Sequence, residues 1–484
     1  MTQPGTSDRG GGVAPFPPPS EAKGGGGVGT PTMSTVETAH STLFFVSDRV
    51  YKMPKRAPAG RADLRRREAR EAACRAEIVR NRPFAPGVYL GVADVRDNTG
   101  TPVEHMVVMR RLPGDRSLSE LLARRESVEE PLRDVARTLV AFHERCETSA
   151  EIASRGRLPD VEAGWLAATD ALAPFRHVML AADEVDDIGR LGLRYLCGRA
   201  AVFDARATRG RIRDGHGNLL AEHIFCMPDG PRMLDRVPAD DSRRIGDVLA
   251  DAAVLAVDLE LRGAPELARR FLGWFGEFAG ETHPPSLAQF YLAQRAVVRA
   301  GASAVRARIG DASAAGQARH LVGLAREHLR RARVRLVLVG GAPDSLRSAL
   351  AGRLAADQDG WVLLSAAAVR RELAVDPAGA APASAPASAS VSTRVPTAGG
   401  AGGTGGSGPA DAVCGEMLRR AREALENGDS VILEAPWSDA GRRSKAATVA
   451  ADTWADLIEL RCSEEGSSLA ETVRNGRLAA GIPG

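Results

Sequence analysis

The sequence predicts an α+β domain, a small β lobe followed by a large helical lobe, and after it an α/β domain built on a parallel sheet. Three observations predict this. Apolar residues alternate in LFFVSDRVYKM, VYLGVADV and HMVVMRRL, the period of half-buried strands, with one helix-spaced stretch among them. Residues 116–210 and 245–330 then carry helical spacing almost throughout. From 333 onward come short β-branched runs separated by helical stretches, which is how buried parallel strands read.

Each element follows in order. Residues 1–34 are Gly, Pro, Ser and Thr with almost no large apolar side chain, so they predict a disordered tail. LFFVSDRVYKM gives two strands joined at a Ser47-Asp48 turn, and Leu64, Ala69, Ala73 and Ile78 space a helix over 61–82. Two more strands complete the small lobe, and the first domain extends over 35–325. The second domain, 333–484, opens on RVRLVLVGG, a run ending in paired glycines ahead of a helix. WVLLS, DSVILEAPW and LIELRC supply its remaining strands. Residues 377–410 are Ala, Pro, Ser and Gly almost throughout, a flexible insertion within that domain. No internal repeat is evident.

Composition narrows the function classes. With 484 residues, 44% hydrophobic and 26% charged, the chain is globular and too long for a single ordinary core. No run approaches the length of a membrane span and the N-terminus has no leader pattern, so a cytoplasmic protein without a membrane partner is expected. The net charge is only +3, and no cationic stripe interleaves with aromatics, which argues against a nucleic-acid partner. Six cysteines are scattered without a CxxC pair, so neither a zinc site nor a disulfide framework is indicated. Nearly all the positive charge is Arg; the only lysines are Lys23, Lys52, Lys55 and Lys445.

The most informative segment is DGHGNLLAEHIFCMPDGPRMLD, residues 214–235. Phosphoryl transfer from ATP needs a cation on the phosphates, oxygen ligands for Mg2+, and a residue that orients or deprotonates the acceptor. Lys52, at the end of the second strand, is either placed to reach phosphates or an ordinary surface strand lysine. Glu77 on the following helix has two candidate partners, Lys52 and its own helix neighbour Arg80. Asp235 is the candidate metal carboxylate or a strand-end turn residue. His216 and Gly217 shape the loop, and Asn218 faces the acceptor. Asp247, Asp251 and Asp258, at near-helical spacing, read as capping and ion pairing in the helical lobe.

DRVYK at 48–52, the run at 65–92, VVMRRLPGDRSL at 107–118, GHGNLLAEHIF at 215–225 and RIGDVLADAAVLAVDLELRG at 244–263 resemble, in that order, the aminoglycoside-phosphotransferase-like kinases. The resemblance is to the bacterial form fused to a C-terminal P-loop kinase-like domain. It implies a protein-kinase-like first domain and a P-loop-like second one. The resembled catalytic loop reads HGD with an Asn further on. Here Asn218 replaces the Asp, and His223 stands where the Asn would be. An amide accepts a hydrogen bond but takes no proton, and loss of a general base costs about 10²- to 10⁴-fold in rate. His223 is an ordinary helix or loop histidine or, as a metal ligand, a softer one where Mg2+ prefers oxygen. Arg236 adds a cation beside Asp235, in RVPADD.

In the second domain, GGAPDSLRSAL at 340–350 stands in the place of a Walker A loop. Only Gly341 and Ser348 keep their roles; Asp344 and Leu346 stand where the resemblance puts glycines, and Arg347 replaces the Lys. Glu434 is either a Walker B-type carboxylate or an ordinary strand-end acid. Arg474 and Arg477 are the last basic residues of the sequence. ATP and Mg2+ are therefore expected at the first site, through Lys52, Glu77 and Asp235, and not at the second. Three readings follow: a nucleotide-binding pseudokinase, a weak phosphotransferase with a small-molecule acceptor, and a scaffold for a protein partner without nucleotide.

Overall fold

The computed structural model describes residues 33–38, 40–56, 58–59, 62–237, 244–358, 360–375 and 409–462. The expected tail up to 32, the insertion at 377–408, the end of RVPADD and both Arg474 and Arg477 lie outside the described residues. The chain divides into two compact units. The first runs to Ala332, except that 194–202 and 284–286 group with the second, which takes in the residues from Arg333 onward.

The first unit opens with strands β1 (Met33–Glu37), β2 (Ser41–Val46) and β3 (Arg49–Pro54), helix α1 (Arg67–Asn81), then β4 (Tyr89–Arg96) and β5 (Pro102–Arg110). The five strands form an antiparallel sheet in the order β1-β2-β3-β5-β4. β1 corrects the expected tail: Met33 and Ser34, assigned to it, pair with Val46 and Phe45. Val46 pairs with Arg49 across the Ser47-Asp48 turn, where Ser47 takes φ 51°, the positive value that tight hairpins require. The helix begins at Arg67 rather than at 61, because Pro58–Ala59 and Ala62–Asp63 pair as a short hairpin first.

Side chains alternate along a strand, so Val50 and Lys52 share a face. That face carries the core of the small lobe: Phe45, Val50, Val107 and Met109 pack against Cys74 and Ile78 of α1. Lys52 thus points toward α1, one step beyond a fully buried valine.

The helical lobe is built around α2 (Glu129–Arg145), α3 (Val248–Leu261) and α4 (Pro265–Ala279). Between α2 and α3 lie the short strands β6 (Ile212–Asp214), β7 (Ile224–Met227), β8 (Gly230–Met233) and β9 (Ile245–Asp247), paired antiparallel as β6 with β9 and β7 with β8. α3 is buried along nearly its whole length, on all sides, so the acids on it must be paired. Asp247 caps it, accepting the Leu249 N–H at 2.9 Å, and binds Arg206. Asp258 accepts the Ala221 N–H at 2.7 Å and pairs with Arg262 and Arg299. Capping and ion pairing are the roles expected of these acids. The last helix of this unit, Ala314–Arg331, runs past the expected domain edge at 325.

The second unit holds four parallel strands, β10 (Arg335–Gly341), β11 (Val362–Ser365), β12 (Val431–Glu434) and β13 (Asp456–Cys462), ordered β11-β12-β10-β13. Helix α5 (Asp344–Ala356) packs Leu350, Ala351 and Leu354 on Val337, Val339 and Ile432. Chain order and spatial order part company between β10 and β12, where the connections leave in opposite directions. That crevice is where ligands bind in open parallel sheets. The second α-helix of this sheet's return, Pro409–Glu426, begins inside the span assigned to the insertion. Among the described residues no helix is long and apolar enough to cross a membrane.

Candidate functional site

Lys52 is held between two carboxylates, its Nζ 2.9 Å from Glu77 Oε1 and 2.8 Å from Asp235 Oδ1. β3 supplies the lysine, α1 the glutamate and the segment after β8 the aspartate. Glu77 therefore takes the strand lysine across the lobe as its partner. Burial works against the ammonium, but Asp235 and then Glu77 outweigh it and hold the Lys52 pKa well above its ordinary value. Partial burial likewise opposes the charge of Asp235, while Lys52 and then His223 hold its carboxyl well below the usual range.

Asp235 has φ 63°, left-handed backbone outside a glycine, a strain of order 1–3 kcal/mol that surrounding contacts must enforce. They do so on both sides. The Leu234 N–H donates to the His223 carbonyl at 2.8 Å, and the Val237 N–H to the His216 carbonyl at 3.1 Å. The Arg236 N–H donates to Asn81 Oδ1 at 2.9 Å, and Asn81 Nδ2 donates to the Glu77 carbonyl. Asn81 thereby ties the carrier of Glu77 to the carrier of Asp235.

The GHGN loop hangs on one buried acid. Asp251 accepts the N–H groups of His216 at 2.8 Å and Gly217 at 2.7 Å, and lies 2.9 Å from His143 Nε2. Burial opposes its charge, yet His143, His216 and Gly217 hold its carboxyl far below the usual range. A β-carbon at Gly215 would sit 2.5 Å from Asp251 Oδ2, and Gly217 has φ 77°, so both glycines are required. His216 is fully buried edge-on to Phe84, and burial pushes its pKa down to about 4.

With the loop so fixed, Asn218 Nδ2 stands 3.3 Å from Asp235 Oδ2. His223 follows on a single turn, Nδ1 3.2 Å from the Asn218 carbonyl and Nε2 4.0 Å from Asp235 Oδ2. Lys52, Glu77, Asp235, Asn218 and His223 are thus brought to one place. Arg236 is not. Its guanidinium turns beneath the loop, donating to the carbonyls of Gly215 and Asp214, pairing with the Asp214 carboxylate and lying 4.9 Å from the Phe142 ring centre. The cation expected beside Asp235 is a strut under the loop instead. Sequence reasoning missed Asn81 and the loop-holding role of Asp251; the available signal for the latter was a carboxylate inside a helix apolar on every side.

In the second unit, Gly341 ends β10 and α5 starts at Asp344, so only Ala342 and Pro343 join them. A phosphate-wrapping loop needs a longer run of free backbone N–H groups. Asp344 and Leu346, expected within such a loop, are first-turn helix residues. Arg347 is buried and fully engaged, Nε to Glu434 Oε1 at 2.5 Å and Nη1 to the Gly341 carbonyl at 3.0 Å and Asp344 Oδ1 at 2.7 Å. Ser348 Oγ at 3.3 Å and Ser365 Oγ at 2.6 Å donate to the same Glu434 carboxylate. The crevice between β10 and β12 is closed by the protein's own guanidinium.

These features define a chain with a lysine shared by two carboxylates beside an amide-bearing loop, joined to a parallel-sheet unit whose crevice is filled from within. The chain belongs to the family of the mycobacterial uncharacterized proteins Rv2004c of Mycobacterium tuberculosis H37Rv and Mb2027c of Mycobacterium bovis. It is 35% identical to each over 449 residues, 92% of this chain and 86% of theirs. No family model matches it. Among solved structures it is similar to a choline/ethanolamine kinase family protein from Mesorhizobium loti, at 14% identity and TM-score 0.36 over 62% of this chain and 93% of that one. It is also similar to the GDP complex of aminoglycoside 2'-phosphotransferase-IIIa, at 15% identity and TM-score 0.38 over 63% and 94%. Likenesses this loose carry nothing about activity.

Proposed function

We propose that the first unit binds a nucleotide through Lys52 and does not transfer its phosphoryl group efficiently, so that the chain is a kinase-like binding protein. The observation that carries this reading is Lys52 shared between Glu77 and Asp235, with Asn218 on the loop facing the same carboxylate. A lysine fixed by a helix glutamate is preorganised for phosphate oxygens, and such a point charge is the usual phosphate partner in this chemistry. Asn218 can orient an acceptor hydroxyl but cannot take its proton, a loss of about 10²- to 10⁴-fold.

The three side chains make a net negative group, so a polyphosphate comes to it together with a divalent cation. Mg2+ asks for an octahedron of oxygens. The groups that face the space are one carboxylate already engaged by Lys52, one amide and one imidazole, a donor set that fits Mg2+ poorly. The second unit contributes no nucleotide site in this reading, because Arg347 and Glu434 satisfy each other.

A second reading, a slow phosphotransferase acting on a small-molecule hydroxyl, is favoured by the formed Lys52–Glu77 pair, since loose phosphoryl transfer depends mostly on positioning. A transfer assay separates the two. The native chain is expected to shift its melting temperature upward with ATP and a divalent cation, and to leave ATP intact with a panel of hydroxyl acceptors. Turnover by the native chain that disappears in Lys52→Ala would overturn the binding-only reading. Absence of any nucleotide-dependent shift would leave the scaffold.

A further inference from the structure

We propose that the divalent ion taken with the nucleotide is a first-row transition ion, Mn2+ or a later one, ligated by Nε2 of His223 and the carboxylate of Asp235. The proposal rests on the nucleotide-binding reading above and concerns which cation that site selects.

The orientation of the imidazole carries it. His223 Nδ1 lies 3.2 Å from the Asn218 carbonyl oxygen, which can only accept, so Nδ1 bears the ring proton in the neutral form. The Asn218 Nδ2 group is also 3.4 Å from Nδ1, a longer contact than the carbonyl's, and it has other acceptors in the Asp235 carbonyl at 3.4 Å and Oδ2 at 3.3 Å. The lone pair is therefore on Nε2. A histidine whose Nδ1–H is fixed by a backbone carbonyl, leaving Nε2 directed outward, is the arrangement in which imidazoles ligate metals.

The separation agrees. Nε2 stands 4.0 Å from Asp235 Oδ2 and 3.8 Å from Glu222 Oε1, too far for hydrogen bonds. Two donors that share one ion at about 2.1 Å each lie roughly 3 to 4.2 Å apart. Asp235 Oδ1 takes Lys52, while Oδ2 takes only the long contact from Asn218 Nδ2 at 3.3 Å among the described residues' hydrogen bonds to that carboxylate and is the oxygen paired with the imidazole. Nitrogen in the donor set moves preference away from Mg2+ and along the series from Mn2+ to Zn2+.

Among the described residues no group of three His, Cys, Asp or Glu could hold a metal ion alone. Phosphate oxygens must complete the coordination. Ion and nucleotide then raise each other's affinity by the same factor, and the ion without nucleotide binds weakly.

The test uses the full-length chain, 15N-labelled only at histidine because Asn218 Nδ2 and Lys52 Nζ also lie beside Asp235, with an unlabelled non-hydrolysable ATP analogue and Mn2+. Nucleotide binding is followed separately by equilibrium dialysis. Electron spin-echo modulation of the bound Mn2+ should show coupling to 15N, hence to a protein nitrogen rather than to the adenine. That coupling should vanish in His223→Asn, and the preference for Mn2+ over Mg2+ should fall by about tenfold. Bound nucleotide with Mn2+ but no 15N coupling in the native chain would overturn the proposal and leave nucleotide binding standing. No nucleotide bound with any ion would overturn both. The native spectrum decides the matter even where the variant fails to fold.

Discussion

At the scale of single residues, the site depends on what Asn218 and Lys52 each can and cannot do. Asn218→Asp restores a proton acceptor beside Asp235, so transfer to a hydroxyl acceptor should rise by about 10²- to 10⁴-fold, read as ADP formation, with nucleotide affinity little changed. Lys52→Ala should abolish the nucleotide-dependent thermal shift. His216 gives a pH prediction with a definite sign. Its folded pKa is about 4 against an ordinary 6.5, so between those values the unfolded chain binds a proton that the folded chain refuses. Stability of the first unit is then full above pH 6.5 and falls toward pH 4 by up to about 3 kcal/mol. His216→Gln should flatten that part of the urea-midpoint profile; an unchanged slope would contradict the neutral buried histidine. Lys52, Glu77 and Asp235 were legible in the sequence as candidates, and the structure brings the three side chains together. Arg236 was misplaced, because adjacency to Asp235 says nothing about which way a long side chain turns, and the left-handed backbone of Asp235 itself precedes the turn under the loop.

At the scale of elements, the loop, α1 and α3 are one construction. Asp251 holds the GHGN backbone from α3, Asn81 ties α1 to the Asp235 segment, and Arg236 fills the space beneath with Phe142 and Phe84 at its faces. Asp251→Ala leaves two loop N–H groups and His143 without their acceptor, and breaking such a buried pair costs about 3 to 5 kcal/mol. Chemical denaturation should show the first unit destabilised by that order. Strands and helices were read correctly wherever period and length agreed, as in LFFVSDRVYKM. The start of α1 was not, since the helix expected from 61 overlaps a short hairpin that pairs Pro58 with Asp63 and Ala59 with Ala62. The β10–α5 connection was likewise hidden: a Walker-like spacing was preserved while the helix had already begun at Asp344.

At the scale of the molecule, the two units dispose of their charged groups differently. In the first, Lys52, Glu77 and Asp235 meet beside Asn218 and His223. In the second, Arg347 and Glu434 neutralise each other in the switch-point crevice, and Ser348 and Ser365 complete the carboxylate's hydrogen bonds. Arg347→Ala should destabilise the second unit by about 3 to 5 kcal/mol by leaving Glu434 buried and unpaired, without altering the nucleotide-dependent shift of the first. The order of sheet, helical lobe and parallel sheet was legible from periodicity alone. The closure of the second crevice was not, because it depends on side chains more than eighty positions apart. The most direct measurement is a calorimetric titration of ATP with Mn2+ into the native chain, with the nucleotide recovered afterward. Saturable binding that is lost in Lys52→Ala, with ATP recovered intact, is the predicted result; no binding, or ATP consumed by the native chain, would contradict it.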